Sequence, residues 1–216
     1  MMIHDQTIIA AYYTPGAYEA EAERLAKSLD KLSLHYRLSK LADQGDWISN
    51  THLRPRFLAG IRHNWPTMNI LSLDADAVLH SDPLEFFAGL QRYDIACHKL
   101  KDELLPGTLW LSPTETTDEM LQQWREWNEK YPARPDRYNF NAAVESVQEL
   151  VVFDLPAEYC WIFDMSEQIH GRREPVIEHL QASRSFRKPK RPKDKTRNER
   201  IRQIEEMYPM LAEAMA

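Results

Sequence analysis

Asp74 and Asp76 are the pair in this sequence best equipped for chemistry. One alanine separates them, and apolar stretches flank them, residues 68–73 before and Ala77-Val78-Leu79 after. Two carboxylates this close repel each other unless a cation or a proton lies between them. A hard divalent cation binds carboxylate oxygens and keeps positions open for water and phosphate, so a diphosphate completes such a site. A metal held there neutralises the charge that grows on a departing diphosphate. Asp-x-Asp on a solvated turn is common and inert, but the flanking apolar stretches place this pair at a strand end.

The elements that must position the pair can be read from periodicity. Thr7–Tyr13 is a short run of strand formers and reads as a buried strand, broken by Pro15-Gly16. Residues 18–32 carry Ala22, Leu25, Leu29 and Leu32 at helical steps. A second strand is expected at 34–38, a polar loop at 45–50, and a helix at 53–65 with Phe57, Leu58 and Ile61 on one face and Pro66 closing it. Residues 68–73 form the third strand. This alternation predicts an α/β fold, a largely parallel sheet with helices on both faces. Ligands bind such sheets beyond the carboxyl ends of the strands, where Tyr13, Thr14, Asp74 and Asp76 all fall.

Further along, Asp82-Pro83 start a short helix through Leu90, and strands are expected at 94–98 and 108–111. Residues 114–130 form an amphipathic helix whose stripe of Met120, Leu121, Trp124 and Trp127 reads as core packing. A loop at 131–136, a helix at 139–150, a strand at 151–155 and a last short strand at 176–179 complete the body. Residues 188–195 hold Pro189 and Pro192 among cations and read as extended or disordered, and 198–216 as a terminal helix. The expected division is a body at 1–184 and a basic tail at 185–216.

The chain has 216 residues, 43% hydrophobic and 28% charged, an ordinary globular balance. No apolar run approaches the roughly 20 residues of a membrane span. The start, Met-Met-Ile-His-Asp-Gln, lacks a signal peptide's basic and apolar regions. Cys97 and Cys160 have no histidines at zinc spacing and read as free thiols, so the cytoplasm is the expected location. Between residues 184 and 202 stand ten Lys or Arg and two acids, a local balance of +8 that leaves −14 on the rest of a chain of net charge −6. Such a tail has three readings: a solvated segment, a dock for DNA phosphates, or a dock for an anionic membrane surface.

Several segments resemble, in order, motifs of bacterial and phage nucleotide-diphospho-sugar transferases. Residues 47–58, Trp-Ile-Ser-Asn-Thr-His-Leu-Arg-Pro-Arg-Phe-Leu, are similar to their W-x-x-N-T-x-x-K-P-x-F-L/I segment. Residues 73–78 resemble their D-x-D strand, and residues 105–110 their S-G-T-L-[YF] strand. Residues 155–164 resemble L-P-x-x-Y-C-x-I-F-D, and residues 176–184 resemble V-I-x-H-x-Q-A-S-R. The resemblance covers most of the chain between Thr7 and Arg184. It implies a GT-A fold, Rossmann-type with a mixed, mostly parallel sheet, a nucleotide-sugar donor that is commonly a uridine diphosphate (UDP) sugar, and a divalent metal, commonly manganese, with magnesium the alternative.

By that resemblance Asp74, Asp76 and His179 are the metal ligands. Tyr13, Thr14, Arg54, Asp74 and Gly107 are the donor-binding set, with Arg54 where the family usually has lysine. Asp136, where relatives carry Asp-Gln before a helix, is either an acceptor-orienting group or base or a helix cap, and Asn139 and Asn141 stand in as amide contacts. A histidine among the metal ligands resembles retaining transferases more than inverting ones. The phage members imply a modified DNA base as acceptor beside a bacterial surface glycan. Two other functions compete: a non-catalytic nucleic-acid-binding module on a degenerate transferase fold, and a nucleotidyltransferase. The latter calls for a Gly-rich phosphate loop, which Thr14-Pro15-Gly16-Ala17 is not.

Overall fold

The computed structural model describes residues 6–187 and 192–209, with side chains at all of these except 185–187 and 192–195. Its main sheet has six strands in the order β2-β1-β3-β6-β5-β7. These are β1 (Thr7–Tyr13), β2 (Tyr36–Lys40), β3 (Asn69–Leu73), β5 (Ile95–Leu100), β6 (Glu103–Leu111) and β7 (Val152–Asp154). Only β6 runs against the others, pairing antiparallel with both β3 and β5. The expected mixed, mostly parallel α/β sheet is therefore present.

Side-chain alternation along the strands feeds two cores. Ile9, Ala11, Leu71, Leu73 and Trp110 point to one face, where α1 (Glu19–Lys31) contributes Leu25 and Leu29 and α4 (Leu84–Ala88) contributes Leu84 and Phe87. Ile8, Ala10, Ile70, Leu109 and Leu111 point to the other. There they meet Leu58 and Ile61 of α3 (Arg54–Asn64), Met120 and Trp124 of α5 (Glu115–Lys130), and Phe140 of α6 (Asp136–Ser146). The apolar stripe of α5 packs in the core as its spacing predicts.

Four local readings are corrected. The 45–50 segment is not all loop. Asp46 accepts hydrogen bonds from the Ile48 and Ser49 amides and so starts the short helix α2 (Trp47–Thr51). The helix expected at 139–150 begins earlier, at Asp136, behind Pro135 in extended conformation. The strand expected at 108–111 extends back to Glu103, as one arm of a hairpin turning at Lys101 with φ of 58°. Its register against β5 slips between Cys97–Leu109 and His98–Leu105, so Pro106 and Gly107 lie at a bulge where proline's missing donor costs no ladder bond.

The fourth correction concerns the C-terminal segment. Residues 188–191 and 210–216 lie outside the described residues, but 192–195 are helical and open α9 (Pro192–Met207). This helix packs on the body. Arg197 is buried, donates to the Leu180 carbonyl at 2.9 Å and lies 2.6 Å from Glu21. Arg200 grips the buried Glu178 through two hydrogen bonds of 2.7 Å, and Ile204 packs against Val78 and Leu180.

A small second sheet, β4-β9-β8, completes the fold. It joins β4 (Ala77–Leu79), β8 (Trp161–Ile162) and β9 (Ile177–His179). Beyond β9 lies α8 (Ala182–Arg187). No helix among the described residues is long and apolar enough to cross a membrane.

Candidate functional site

Three backbone features bring the site together. The fully buried β3 ends at Leu73 and delivers Asp74 and Asp76 at its carboxyl end. The β6 bulge carries Gly107 alongside, and its carbonyl accepts from the Asp74 amide at 2.9 Å. The second sheet pairs Ala77 with His179 and ties the Leu180 amide to the Asp76 carbonyl at 3.1 Å, so two segments about a hundred residues apart share one corner.

The ligand-bearing atoms of Asp74, Asp76 and His179 all lie within 4.8 Å of one another. Each is held by a specific partner. Arg54 donates to Asp74 and, at 2.5 Å, to the Pro106 carbonyl. Asp76 accepts from the Ala182 amide at 2.6 Å, directed there by a left-handed turn at Gln181, φ 54°. His179 Nε2 bonds the Thr108 hydroxyl at 2.8 Å. Its Nδ1, 3.8 Å from Asp76, is buried with no hydrogen-bond partner.

That orphaned nitrogen tests whether the residues suit a metal. A buried polar atom without a partner is costly, and native proteins rarely leave one. With Nε2–H donating to Thr108, the lone pair of neutral Nδ1 faces the two carboxylates. This is how a metal-ligating histidine is usually oriented by its other nitrogen. Two carboxylates suit manganese or magnesium, and the imidazole beside them favours manganese, the transition metal of the two. The three residues therefore fit a divalent cation.

Gly107 packs tightly against this corner. A Cβ there would stand 3.1 Å from Asp74 Oδ2 and 3.2 Å from His179 Cε1, so a side chain would press on the ligand set.

Protonation follows the same geometry. Desolvation raises the pKa of Asp74, with Arg54 pulling against it and the Asp76 charge adding to it. Burial also opposes ionisation of Asp76, but His179 and the Ala182 amide hold it below the usual carboxylate range. Burial likewise opposes charge on His179, yet Cys160 and the two aspartates keep it well above the usual histidine range. Without a metal, a proton on His179 takes the cation's electrostatic place.

A cavity of about 440 Å³ opens beside this corner. Thr14, Arg54, Asp74, Gly107, Asp76 and His179 line it, and so does Asp136. Asp136 is the first residue of α6 and Pro135 holds the cap position, so the helix-cap reading is corrected. Its Oδ1 accepts from Trp124 Nε1 at 2.8 Å and Asn128 Nδ2 at 3.3 Å. Burial pushes its pKa up to about 7, against the pull of Arg54.

Other expected residues lie elsewhere. Tyr13 is not on the cavity wall; the adjacent Tyr12 is, with its hydroxyl donating to the Asn50 carbonyl at 3.0 Å. Asn139 is fully buried behind Asp136 and donates to Asn128 Oδ1 at 2.9 Å. Asn141 bonds both the amide and the carbonyl of Leu104, and so clamps α6 to the β5–β6 hairpin. Neither asparagine lines the cavity. Sequence reasoning missed Tyr12, Thr108 and the Ala182 amide. Only Tyr12 had a signal, because strand parity puts it on the face opposite Ala11.

No family model matches the sequence, and no curated protein matches it. Solved structures do match. A glycosyltransferase involved in the glycosylation of the major capsid of PBCV-1 is similar with a TM-score of 0.63 and 10% identity, over 81% of this chain and 92% of that one. The apo structure of the bifunctional glycosyltransferase WbbM gives 0.51 and 11%, over 80% of this chain and 45% of that longer protein. An active-site mutant of LgtC gives 0.50 and 13%, over 80% and 86%. The chain therefore has a GT-A-like glycosyltransferase fold, the fold its sequence motifs imply.

Proposed function

We propose that this protein is a metal-dependent glycosyltransferase that moves a sugar from a nucleotide-diphosphate donor, with uridine as the base, to a hydroxyl acceptor. One observation carries the reading: within a glycosyltransferase fold, Asp74, Asp76 and the orphaned His179 nitrogen converge on the wall of a cavity at the carboxyl end of β3. When bound, manganese or magnesium would supply charge neutralisation for the departing diphosphate.

The chain's own residues take the remaining roles. Thr108 fixes the His179 ring, and the Ala182 amide fixes Asp76. Arg54 holds Asp74 and brings a buried positive charge to the diphosphate side of the cavity. Tyr12 and Thr14, at the end of β1, flank the nucleobase. Asp136 faces the sugar and acceptor with a carboxyl that exchanges its proton near neutrality, which suits acceptor orientation or proton transfer. Retention of anomeric configuration is the outcome we assign, on the histidine-containing ligand set. The two buried free thiols, Cys97 and Cys160, support a reducing compartment.

The polyanion-docking reading of the basic segment loses part of its support. Arg184, Arg197, Arg200 and Arg202 pair with Asp164, Glu21, Glu178 and Glu199. The other six cations fall at 187–195, where side chains are outside the description.

Thermal unfolding with manganese and a panel of nucleoside diphosphates, each with and without metal, tests the proposal. A ligand that binds only the folded state raises the melting temperature, by about 2.7 kcal/mol of stability at a hundredfold excess over its Kd. A metal-dependent rise with uridine diphosphate, abolished by Asp76→Ala, is the expected result. No rise with any nucleotide at millimolar concentration would remove the transferase reading and leave the non-catalytic module in its place.

A further inference from the structure

The wall of the cavity that carries Asp136 continues outward as a strip of alternating rings and cations. Trp127 and Tyr131 stack at 5.3 Å with planes 18° apart. Lys130 lies over both, at 5.3 and 5.4 Å. Arg134 lies 5.8 Å over Tyr131 and 5.7 Å over Tyr138, and Arg137 lies 4.7 Å over Tyr138. Arg137 and Tyr138 line the cavity itself, so the strip runs from the end of α5, across the loop, to the mouth of the site.

The strip departs from the acidic balance of the body. The chain outside residues 184–202 carries −14, while Trp127–Tyr138 holds three cations and two acids, Glu129 and the buried Asp136. Among the described residues neither Lys130 nor Arg134 has a carboxylate partner, while Arg137 faces Glu103 at 3.3 Å. A cation over an aromatic face is held in place at little cost in hydration. The rings therefore preposition charge along the strip that leads to the cavity. No reaction at the metal corner calls on that charge.

We propose that this strip binds the acceptor, and that the acceptor is a carbohydrate bearing carboxylate or phosphate groups. The inference rests on the transferase reading and names the substrate class of that site. A guanidinium fork engages two oxygens of either a carboxylate or a phosphate, which favours the two arginines for this role. A nucleic acid is the less suitable occupant. Single strands bind through bases stacked on open aromatic faces, and here each ring already carries a cation over a face.

The test is calorimetric titration of the full chain, with manganese and uridine diphosphate present, using four probes. They are hexagalacturonate, glucose 6-phosphate, neutral maltohexaose and a thymidine oligonucleotide. Wild type should bind at least one anionic sugar and prefer it to maltohexaose. Lys130→Ala combined with Arg134→Ala should weaken that binding roughly 2- to 30-fold, the sum of two exposed ion pairs. Arg134→Lys should lose less than Arg134→Ala. The manganese-dependent nucleotide shift in melting temperature should be unchanged in all variants, since neither residue touches the donor corner. Equal binding of neutral and anionic sugars, no sugar binding, or no effect of the double variant each overturns the proposal. Binding of the oligonucleotide alone overturns it in favour of a nucleic-acid acceptor. Loss of the nucleotide shift in wild type would instead strike the transferase reading, so the two failures are separable.

Discussion

Asp136→Asn should make this protein more stable at alkaline pH and less active at every pH. The Asp136 carboxyl is buried, and its pKa rises from an ordinary 3.8 to about 7 because desolvation disfavours the anion more than Arg54, Asn128 and Trp124 favour it. Between those two pH values the folded state binds the proton and the unfolded state has released it, so stability falls as pH rises through the interval. Below about pH 4 both states are protonated and the site costs nothing. Above about pH 8 the full difference applies, about 4 kcal/mol at 1.36 kcal/mol per pH unit. For a chain of this size that corresponds to roughly 8–16 °C in melting temperature. Asparagine keeps an oxygen for Trp124 Nε1 and Asn128 Nδ2 and never ionises, so the variant should match wild type near pH 4 and melt higher at pH 8. The assay is melting temperature against pH for both proteins. A variant whose stability falls between pH 4 and 8 as steeply as wild type would refute the assignment of the titrating group. Sugar transfer should drop about 10²- to 10⁴-fold if the same carboxyl moves a proton. A stabilised variant with undiminished turnover would leave Asp136 as a purely structural group.

Two further substitutions probe the architecture around the site. Gly107→Ala should lower manganese affinity about 10- to 100-fold, the usual cost of disturbing the surroundings of ligands, through contact with Asp74 and His179 and not through backbone strain, since Gly107 has no left-handed φ; titration calorimetry reads this, and wild-type affinity would show that the ligand set is not packed against that backbone. Arg200→Met removes two 2.7 Å hydrogen bonds to the buried Glu178, leaving it His80 at 2.8 Å, and should cost about 3 kcal/mol, or roughly 6–12 °C. An unchanged melting temperature would mean that α9 is a detachable tail in solution.

The readable part of this fold is the part governed by local pattern. Thr7–Tyr13 announces itself as a strand because six successive apolar positions, Ile8 to Tyr13, have few other uses, and the short run Ile70-Leu71-Ser72-Leu73 before Asp74 follows the same logic more weakly. The sixteen-residue α5 shows its stripe for the same reason. The second sheet does not, since its strands have three, three and two residues, too short for any period to register. That sheet nonetheless decides the site, because the pairing of Ala77 with His179 is what brings the histidine to the aspartates. Motif resemblance supplied His179 where periodicity could not.

A different physical cause hid the rest. Tyr12 and Tyr13 are indistinguishable by type, and only the side of the sheet on which the cavity opens separates them. Asn141 looked like a substrate amide because polar residues in a packed helix invite that reading, but the Leu104 amide and carbonyl and the Arg137 carbonyl occupy it. The basic C-terminal segment misled through net charge. Arg197 and Arg200 count as free cations in a sum over residues, yet they are consumed by Glu21 and Glu178 from distant parts of the chain. By contrast the short cationic run at Lys130–Tyr138 is diluted by its acidic surroundings in any sum, and only the placement of its rings reveals it. Charge that a fold spends on holding itself together is unavailable to a partner. The cations left to meet an acceptor are therefore Lys130 and Arg134, which rings rather than carboxylates hold on the strip that ends at the cavity.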